Sequence, residues 1–191
     1  MITDALAYVE SLYGCPYGYW TGRHIQRDNT SPFYAALPNE PLPARDTLVS
    51  QGIACTGLLN LMCRHAGLVV PGVLDPTELH PGGTLVWGGA LPWIRMTETA
   101  ASPPVPPGTL FFRHFRCFED QGHVAIVAQD GVTLLQSFPE SWDPLHSVRS
   151  PPGVTFTPLP EVVVIDDTEV ACYYDSYCPP AIYLSALQRL R

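Results

Sequence analysis

The chain has 191 residues and a net charge of −8, with ten Lys and Arg against eighteen Asp and Glu. No run of basic residues occurs, which argues against nucleic acid and anionic membrane surfaces as partners. With 46% apolar residues and 10% aromatics the composition is that of a folded chain rather than a disordered one, and the length suits one domain, 1–191, with a sizeable core.

The opening Met1-Ile-Thr-Asp-Ala-Leu-Ala-Tyr8 has neither a basic leader nor a long apolar stretch, and no segment approaches the roughly 18 apolar residues of a membrane span. A cytoplasmic protein is the expectation. Residues 3–13 then read as a helix, with Thr3 as its cap, Leu6, Val9, Leu12 and Tyr13 at helical spacing, and Gly14 as its stop. Residues 21–50 carry scattered Pro, Asn and Arg with little periodicity and read as a long loop insertion, of the kind that is more often functional or mobile than accidental.

The segment 55–66 has the clearest helical pattern: Leu58, Leu59, Leu61, Met62 and Ala66 form a broad apolar face that Gly67 ends. Residues 70–107 are rich in Pro and Gly and read as a second insertion. From Gly108 the period becomes that of a sheet. Thr109–Phe112 is one strand, and His123–Ala128 and Val132–Ser137 make a hairpin about Asp130-Gly131. Glu161–Ile165 and Val170–Tyr174 are further strands, and Pro180–Leu190 a closing helix. Helices first and an antiparallel sheet second predict an α+β domain.

Cysteines stand at 15, 55, 63, 117, 172 and 178. There is no CxxC pair, and neither Cys63-Arg-His65 nor the 172/178 spacing suits zinc, so no metal and no cofactor is expected and free thiols are the default. Cys55 differs from the rest because it opens a helix. There a partial positive charge and unpaired backbone N–H groups favour a thiolate and can hold an oxyanion. Gly57 removes a side chain nearby and lets that helix end press on a neighbouring sheet. The plainer alternative is one more buried, unreactive thiol. Cys63, on the helix body beside Met62, reads as packing.

A thiolate needs an imidazole, which can lie far away in sequence. His123 begins the strand Gly122-His-Val-Ala-Ile-Val127, so its side chain can reach a cleft while the strand packs beneath it; a surface histidine on an edge strand is the alternative. His114 is the second choice. His65 shares the Cys55 helix but lies about 15 Å along its axis. A two-residue turn at Asp130-Gly131 sets Gln136 opposite Ala125, on the face of His123 and diagonal to it. A four-residue loop keeps that parity, whereas a three-residue loop presents Ser137 instead. Gln136 is thus the candidate for orienting the imidazole, or else a polar residue on a wet sheet face.

Taken in order, these segments resemble the NlpC-type cysteine peptidases, compact papain-like enzymes that cleave peptide bonds in bacterial cell-wall stems. Ala54-Cys55-Thr56-Gly57-Leu58 resembles the family's Asp-Cys-Ser-Gly-Phe, and Gly108-Thr-Leu-Phe-Phe112 its Gly-Asp-Leu-x-Phe-Phe. Gly14-Cys-Pro-Tyr17-Gly-Tyr-Trp20-Thr-Gly22 is similar to its Gly-x-Pro-Tyr-x-Trp-Gly-Gly. Gly122-His-Val-Ala-Ile-Val127 is also similar to the CHAP amidases. The resemblance implies a papain-like fold whose nucleophile helix packs on a central antiparallel sheet. It also implies a Cys55, His123, Gln136 triad, with Tyr17, Thr56 and Trp20 on the substrate and oxyanion side. The implied partner is a peptide or small amide, cleaved through a thioester. Ala54 stands where the family's aspartate helps hold a substrate amine, which points to a changed substrate. An acyl- or peptidyl-transferase with the same triad, or a binding module that reuses the fold, are the rival readings.

Overall fold

The computed structural model describes residues 2–19, 30–96, 104–116, 121–139, 141–142, 149–150, 152–159, 163–165, 170–172 and 174–189. In chain order the elements are α1 (Ile2–Glu10), α2 (Arg45–Gln51), α3 (Cys55–His65), α4 (Thr84–Ala90), β1 (Ile94–Arg95), β2 (Leu110–Arg113), β3 (His123–Val127), β4 (Thr133–Phe138), β5 (Ser141–Trp142), β6 (Arg149–Ser150), β7 (Gly153–Pro158), β8 (Val163–Ile165), β9 (Val170–Cys172), β10 (Ser176–Cys178) and α5 (Pro180–Gln188). A six-stranded sheet runs β1-β10-β2-β3-β4-β7 with every neighbouring pair antiparallel, while β5-β6 and β8-β9 form separate two-stranded ribbons. The fold is therefore α+β, as the order of helical and strand periods predicts.

The apolar face of α3 builds one side of the core. Leu58, Leu59, Leu61, Met62 and Cys63 pack with Ala5, Leu6 and Val9 of α1 and Tyr183 and Leu187 of α5 against Leu110, Phe112, Val124, Ile126, Leu135 and Val154 of the sheet. Each fully buried Leu or Met contributes about 1.5–3 kcal/mol from leaving water. The other sheet face carries a second cluster of Phe111, Ala125, Val127, Leu134, Leu159 and Tyr174. Both faces being covered explains why β3 reads as an unbroken apolar run after His123, with all of its residues buried. Cys63 is buried in the core, as its position beside Met62 predicts.

Several boundaries differ from expectation for identifiable reasons. Helix α1 begins at Ile2, so Thr3 lies inside its first turn rather than capping it, next to Asp4 at the positive end of the helix. Helix α3 stops where Gly67 predicts: the Gly67 and Leu68 N–H groups bond to the Arg64 and Cys63 carbonyls, with Gly67 at φ +69°. The hairpin β3–β4 turns through 129–132 rather than through a two-residue loop. Asp130 caps that turn by accepting from the Val132 and Thr133 N–H groups and the Thr133 hydroxyl. The parity is unchanged, because Ile126 pairs with Leu135 and Val127 with Leu134.

The two stretches expected to be loop insertions contain helices. α2 closes the first, and its preceding residues are fastened to α3. The Arg64 guanidinium donates to the Tyr34 and Pro41 carbonyls at 2.9 Å, and the Tyr34 hydroxyl to the Gly52 carbonyl at 2.6 Å. α4 lies in the second and sends Trp87 into the core, where its indole N–H donates to Asn60 Oδ1 at 2.9 Å. Asn60 in turn donates to the Phe33 and Gly82 carbonyls at 2.7 and 3.1 Å. One buried amide on α3 thus ties down both stretches.

Candidate active site

Backbone chemistry sets the front of α3. Gly57 is required because a Cβ there would stand 2.0 Å from the Pro32 carbonyl oxygen, which also accepts from the Ala54 N–H at 3.0 Å. The neighbour that presses on this helix end is thus the 30–36 segment and not the sheet, which corrects the expected reason for Gly57. A parallel bridge joins Tyr17 to Ile53, through Ile53 N–H to the Pro16 carbonyl and Gly18 N–H to the Ile53 carbonyl. The half-buried Tyr17 is thereby held beside Ile53, the residue two places ahead of the thiol. Thr56 is fully buried, so what it offers at the helix front is its backbone N–H. Trp20 lies outside the described residues.

The sheet opens where Cys55 arrives. The Ala128 N–H donates to the Thr133 carbonyl, so by the two-residue period of an antiparallel ladder Val124 should exchange bonds with Ser137. The pairing ends instead at Ile126 and Leu135. The Val124 N–H lies near enough to the Cys55 thiol to favour its thiolate, and the Ser137 hydroxyl donates to the Ile53 carbonyl at 2.6 Å. A strand's N–H points along the sheet, so the thiol is approached from the side where the β3–β4 ladder has ended.

His123 is the residue before Val124, and its strand entry needs Gly122. That glycine has φ +79°, and a Cβ on it would meet the Arg113 carbonyl oxygen at 2.4 Å. The imidazole stacks on Phe138 with centroids 4.2 Å apart and 19° between planes. Its Nε2 lies 3.3 Å from Gln136 Oε1. Gln136 Oε1 also accepts from the Tyr174 hydroxyl at 2.6 Å, and Gln136 Nε2 donates to Thr157 Oγ1 at 2.7 Å. Gln136 is buried, not on a wet face. Between the two candidates for its place, Gln136 is the one bonded to the imidazole, while Ser137 is committed to Ile53. His114, the second-choice histidine, bonds Ser176 Oγ at 3.1 Å and packs edge-on to Phe112 and Trp93.

Electrostatics here run against the expectation that the helix end ionises Cys55. Burial pushes the thiol up from its ordinary range, although the N–H groups of Val124, Thr56 and Cys55 itself, with the Arg113 charge, favour the thiolate. The reason is one of size: a helix end contributes about 0.3–1 kcal/mol, whereas burying an ion costs several kcal/mol. Burial likewise draws His123 down to about 3, against the Gln136 hydrogen bond and with the help of Arg113, its cross-strand partner. Both shifts favour the uncharged forms, a protonated thiol and a neutral imidazole.

No protein-family model matches the chain, and no curated protein matches it in sequence. Among solved structures it is similar to the crystal structure of a wild-type endolysin, LysIME-EF1, at 14% identity and a TM-score of 0.33, over 94% of this chain and 64% of that one. The chain therefore spans less than two thirds of that protein's length. A likeness this slight carries neither fold nor activity across.

Three contributors to the site have no local signature in the sequence. Tyr174 and Thr157 reach Gln136 from outside the hairpin, and the Val124 N–H is backbone. Gln121 Nε2 also donates to the Tyr19 hydroxyl at 3.1 Å, linking the approach to His123 with the Tyr17 segment. Among the described residues no cluster of His, Cys, Asp or Glu could hold a metal ion, and no helix is long and apolar enough to cross a membrane. Cys15, Cys55, Cys63 and Cys178 are free thiols.

Proposed function

We propose that the chain is a cysteine hydrolase of the papain-like, NlpC-type kind, with residues 1–191 as one catalytic domain acting on the amide bond of a peptide or small amide. The observation that carries this reading is a run of neighbours: the Val124 N–H favours the Cys55 thiolate, and His123, the residue before it, has its Nε2 3.3 Å from Gln136 Oε1. The imidazole is bonded to the carboxamide, and the thiol meets the backbone of the next residue where the β3–β4 ladder ends.

With Nε2 engaged by Gln136, Nδ1 is the nitrogen that would take the thiol proton. Burial favours the uncharged form of both partners, so that proton would leave Sγ as the sulfur closes on the carbonyl carbon, not beforehand. The negative charge passing to the carbonyl oxygen would meet the Cys55 and Thr56 N–H groups and the Tyr17 hydroxyl. Collapse of the tetrahedral species breaks the C–N bond. The amine leaves with the proton from His123, and water then converts the thioester to the acid and restores the thiol. Ala54, lacking a carboxylate, would leave a substrate amine to be held elsewhere, so cell-wall peptides are one class to test among several.

The test is turnover of a panel of peptides and amides by the native protein, Cys55→Ala and His123→Ala. Loss of turnover in both variants supports the reading, and turnover that survives Cys55→Ala overturns it. A transferase is the second reading, favoured by the depth of the site: Cys55 is 9% and His123 4% exposed, which limits water at the thioester. The apolar acceptor pocket that would strengthen it does not come from Trp87, which is in the core, or from Trp93, which stacks on Phe112 at 4.3 Å. Product analysis with and without an added amine separates the two outcomes.

A further inference from the structure

A carboxamide is nearly symmetrical in shape, so Gln136 fits its pocket in two orientations that differ by a half-turn of its end. One presents oxygen to His123 and Tyr174 and nitrogen to Thr157; the other exchanges them. The consequence for chemistry is large. Oxygen facing His123 selects the imidazole with its proton on Nε2 and a lone pair on Nδ1, whereas nitrogen facing it selects the opposite tautomer, which has no lone pair on Nδ1 to take a proton from a thiol.

We propose that Tyr174 is the positioning residue that decides between these orientations, setting the tautomer of His123 through Gln136. The inference rests on the reading above that His123 serves Cys55 through Nδ1. Each hydroxyl on the carboxamide can donate or accept, and both contacts are short, 2.6 Å at Tyr174 and 2.7 Å at Thr157. What differs is the kind of hydroxyl. A phenol, whose oxygen lone pair is drawn into its ring, is a stronger donor and a weaker acceptor than the aliphatic hydroxyl of Thr157. Tyr174 therefore places oxygen, not nitrogen, against the imidazole. Tyr174 is 1% exposed, Gln136 3% and His123 4%, so no bulk water competes for these bonds. Thr157 takes the amide hydrogen at the far end at 2.7 Å, completing the orientation from β7.

Tyr174 belongs to neither hairpin strand. Its ring packs edge-on to Phe111, with centroids 5.7 Å apart and 71° between planes, and lies 6.1 Å from the His123 ring. Tyr174→Phe keeps that packing and removes only the hydroxyl, after which the carboxamide can turn and the two tautomers of His123 mix.

The experiment is long-range 15N–1H NMR on the full chain labelled at histidine nitrogens, with His123 assigned by loss of its signals in His123→Gln. The native protein is expected to carry its His123 proton on Nε2, and Tyr174→Phe to give averaged or doubled ring-nitrogen shifts. A native protein protonated on Nδ1 overturns the proposal whether or not any variant folds. So does an unchanged Nε2–H pattern in a folded Tyr174→Phe protein. Neither readout depends on turnover, so failure of the hydrolase reading, scored by Cys55→Ala, is distinguishable from failure of this one. On any amide that is turned over, Tyr174→Phe is expected to lower kcat about tenfold with KM unchanged, the size of one hydrogen bond. An unchanged kcat counts against the proposal.

Discussion

The Ser137 hydroxyl donates to the Ile53 carbonyl oxygen at 2.6 Å in a buried position, tying β4 to the residue two places ahead of Cys55. It acts where the β3–β4 ladder has ended, and so holds the front of α3 against the open end of the sheet. Ser137→Ala leaves that carbonyl only the longer bond from the Gly18 N–H, at 3.3 Å, and is expected to cost about 1 kcal/mol, read as a lower urea midpoint. The His123 ring-nitrogen shifts should not move, because Gln136 and not Ser137 is bonded to the imidazole.

His123 makes stability depend on pH in a predictable direction. Its folded pKa, drawn down to about 3, lies below the ordinary value of 6.5. Between those values the unfolded chain binds a proton that the folded chain does not, so stability falls as pH drops from about 6.5 toward 3. The urea midpoint should therefore fall less between pH 7 and pH 4 in His123→Gln than in the native protein. Equal slopes would show that His123 does not contribute.

For Cys55 the expected outcome is slow alkylation in the absence of substrate. Since burial holds the thiol above its ordinary range, peptide mapping after iodoacetamide at pH 7 should find Cys55 labelled more slowly than a free model thiol. The rate should keep rising above pH 9, where the model thiol levels off. Faster labelling than the model thiol at pH 7 would mean that the N–H groups at the helix front outweigh burial.

Asn60→Ala should loosen both long connections at once. It removes the Asn60 bonds to the Phe33 and Gly82 carbonyls and to the Trp87 indole N–H, all in the interior, at a cost on the order of 3 kcal/mol. Limited proteolysis is expected to cut the variant in 30–44 and 70–83 under conditions that spare the native chain. Cleavage confined to one of the two stretches would show that Asn60 does not couple them.

What the sequence made legible follows from short-range periodicity. The apolar stripe of α3, its Gly67 stop and the parity of the β3–β4 hairpin all depend on spacing, and the approach of Gln136 to His123 follows from that parity. What stayed hidden depends on partners far along the chain. α4 carries Gly88 and Gly89 and forms where Trp87 is drawn into the core, a tertiary effect that overrides propensity. The fastening of 30–44 runs from Arg64 and Asn60 to backbone carbonyls, which have no residue type to give them away. Tyr174 lies 38 residues from the carboxamide it bonds. The ionisation of Cys55 is not legible in the sequence, because a helix front is visible locally while the depth at which it is buried is not.

That depth has a consequence for the lifetime of the thiol. Peroxides attack the thiolate, and each step from sulfenic to sulfonic acid begins there. A Cys55 kept protonated by its surroundings is a poor target for them at rest. On the proposed mechanism its exposure to oxidative loss would be confined to the moments when the proton has moved to His123, and damage would accumulate with the number of turnovers rather than with time in storage.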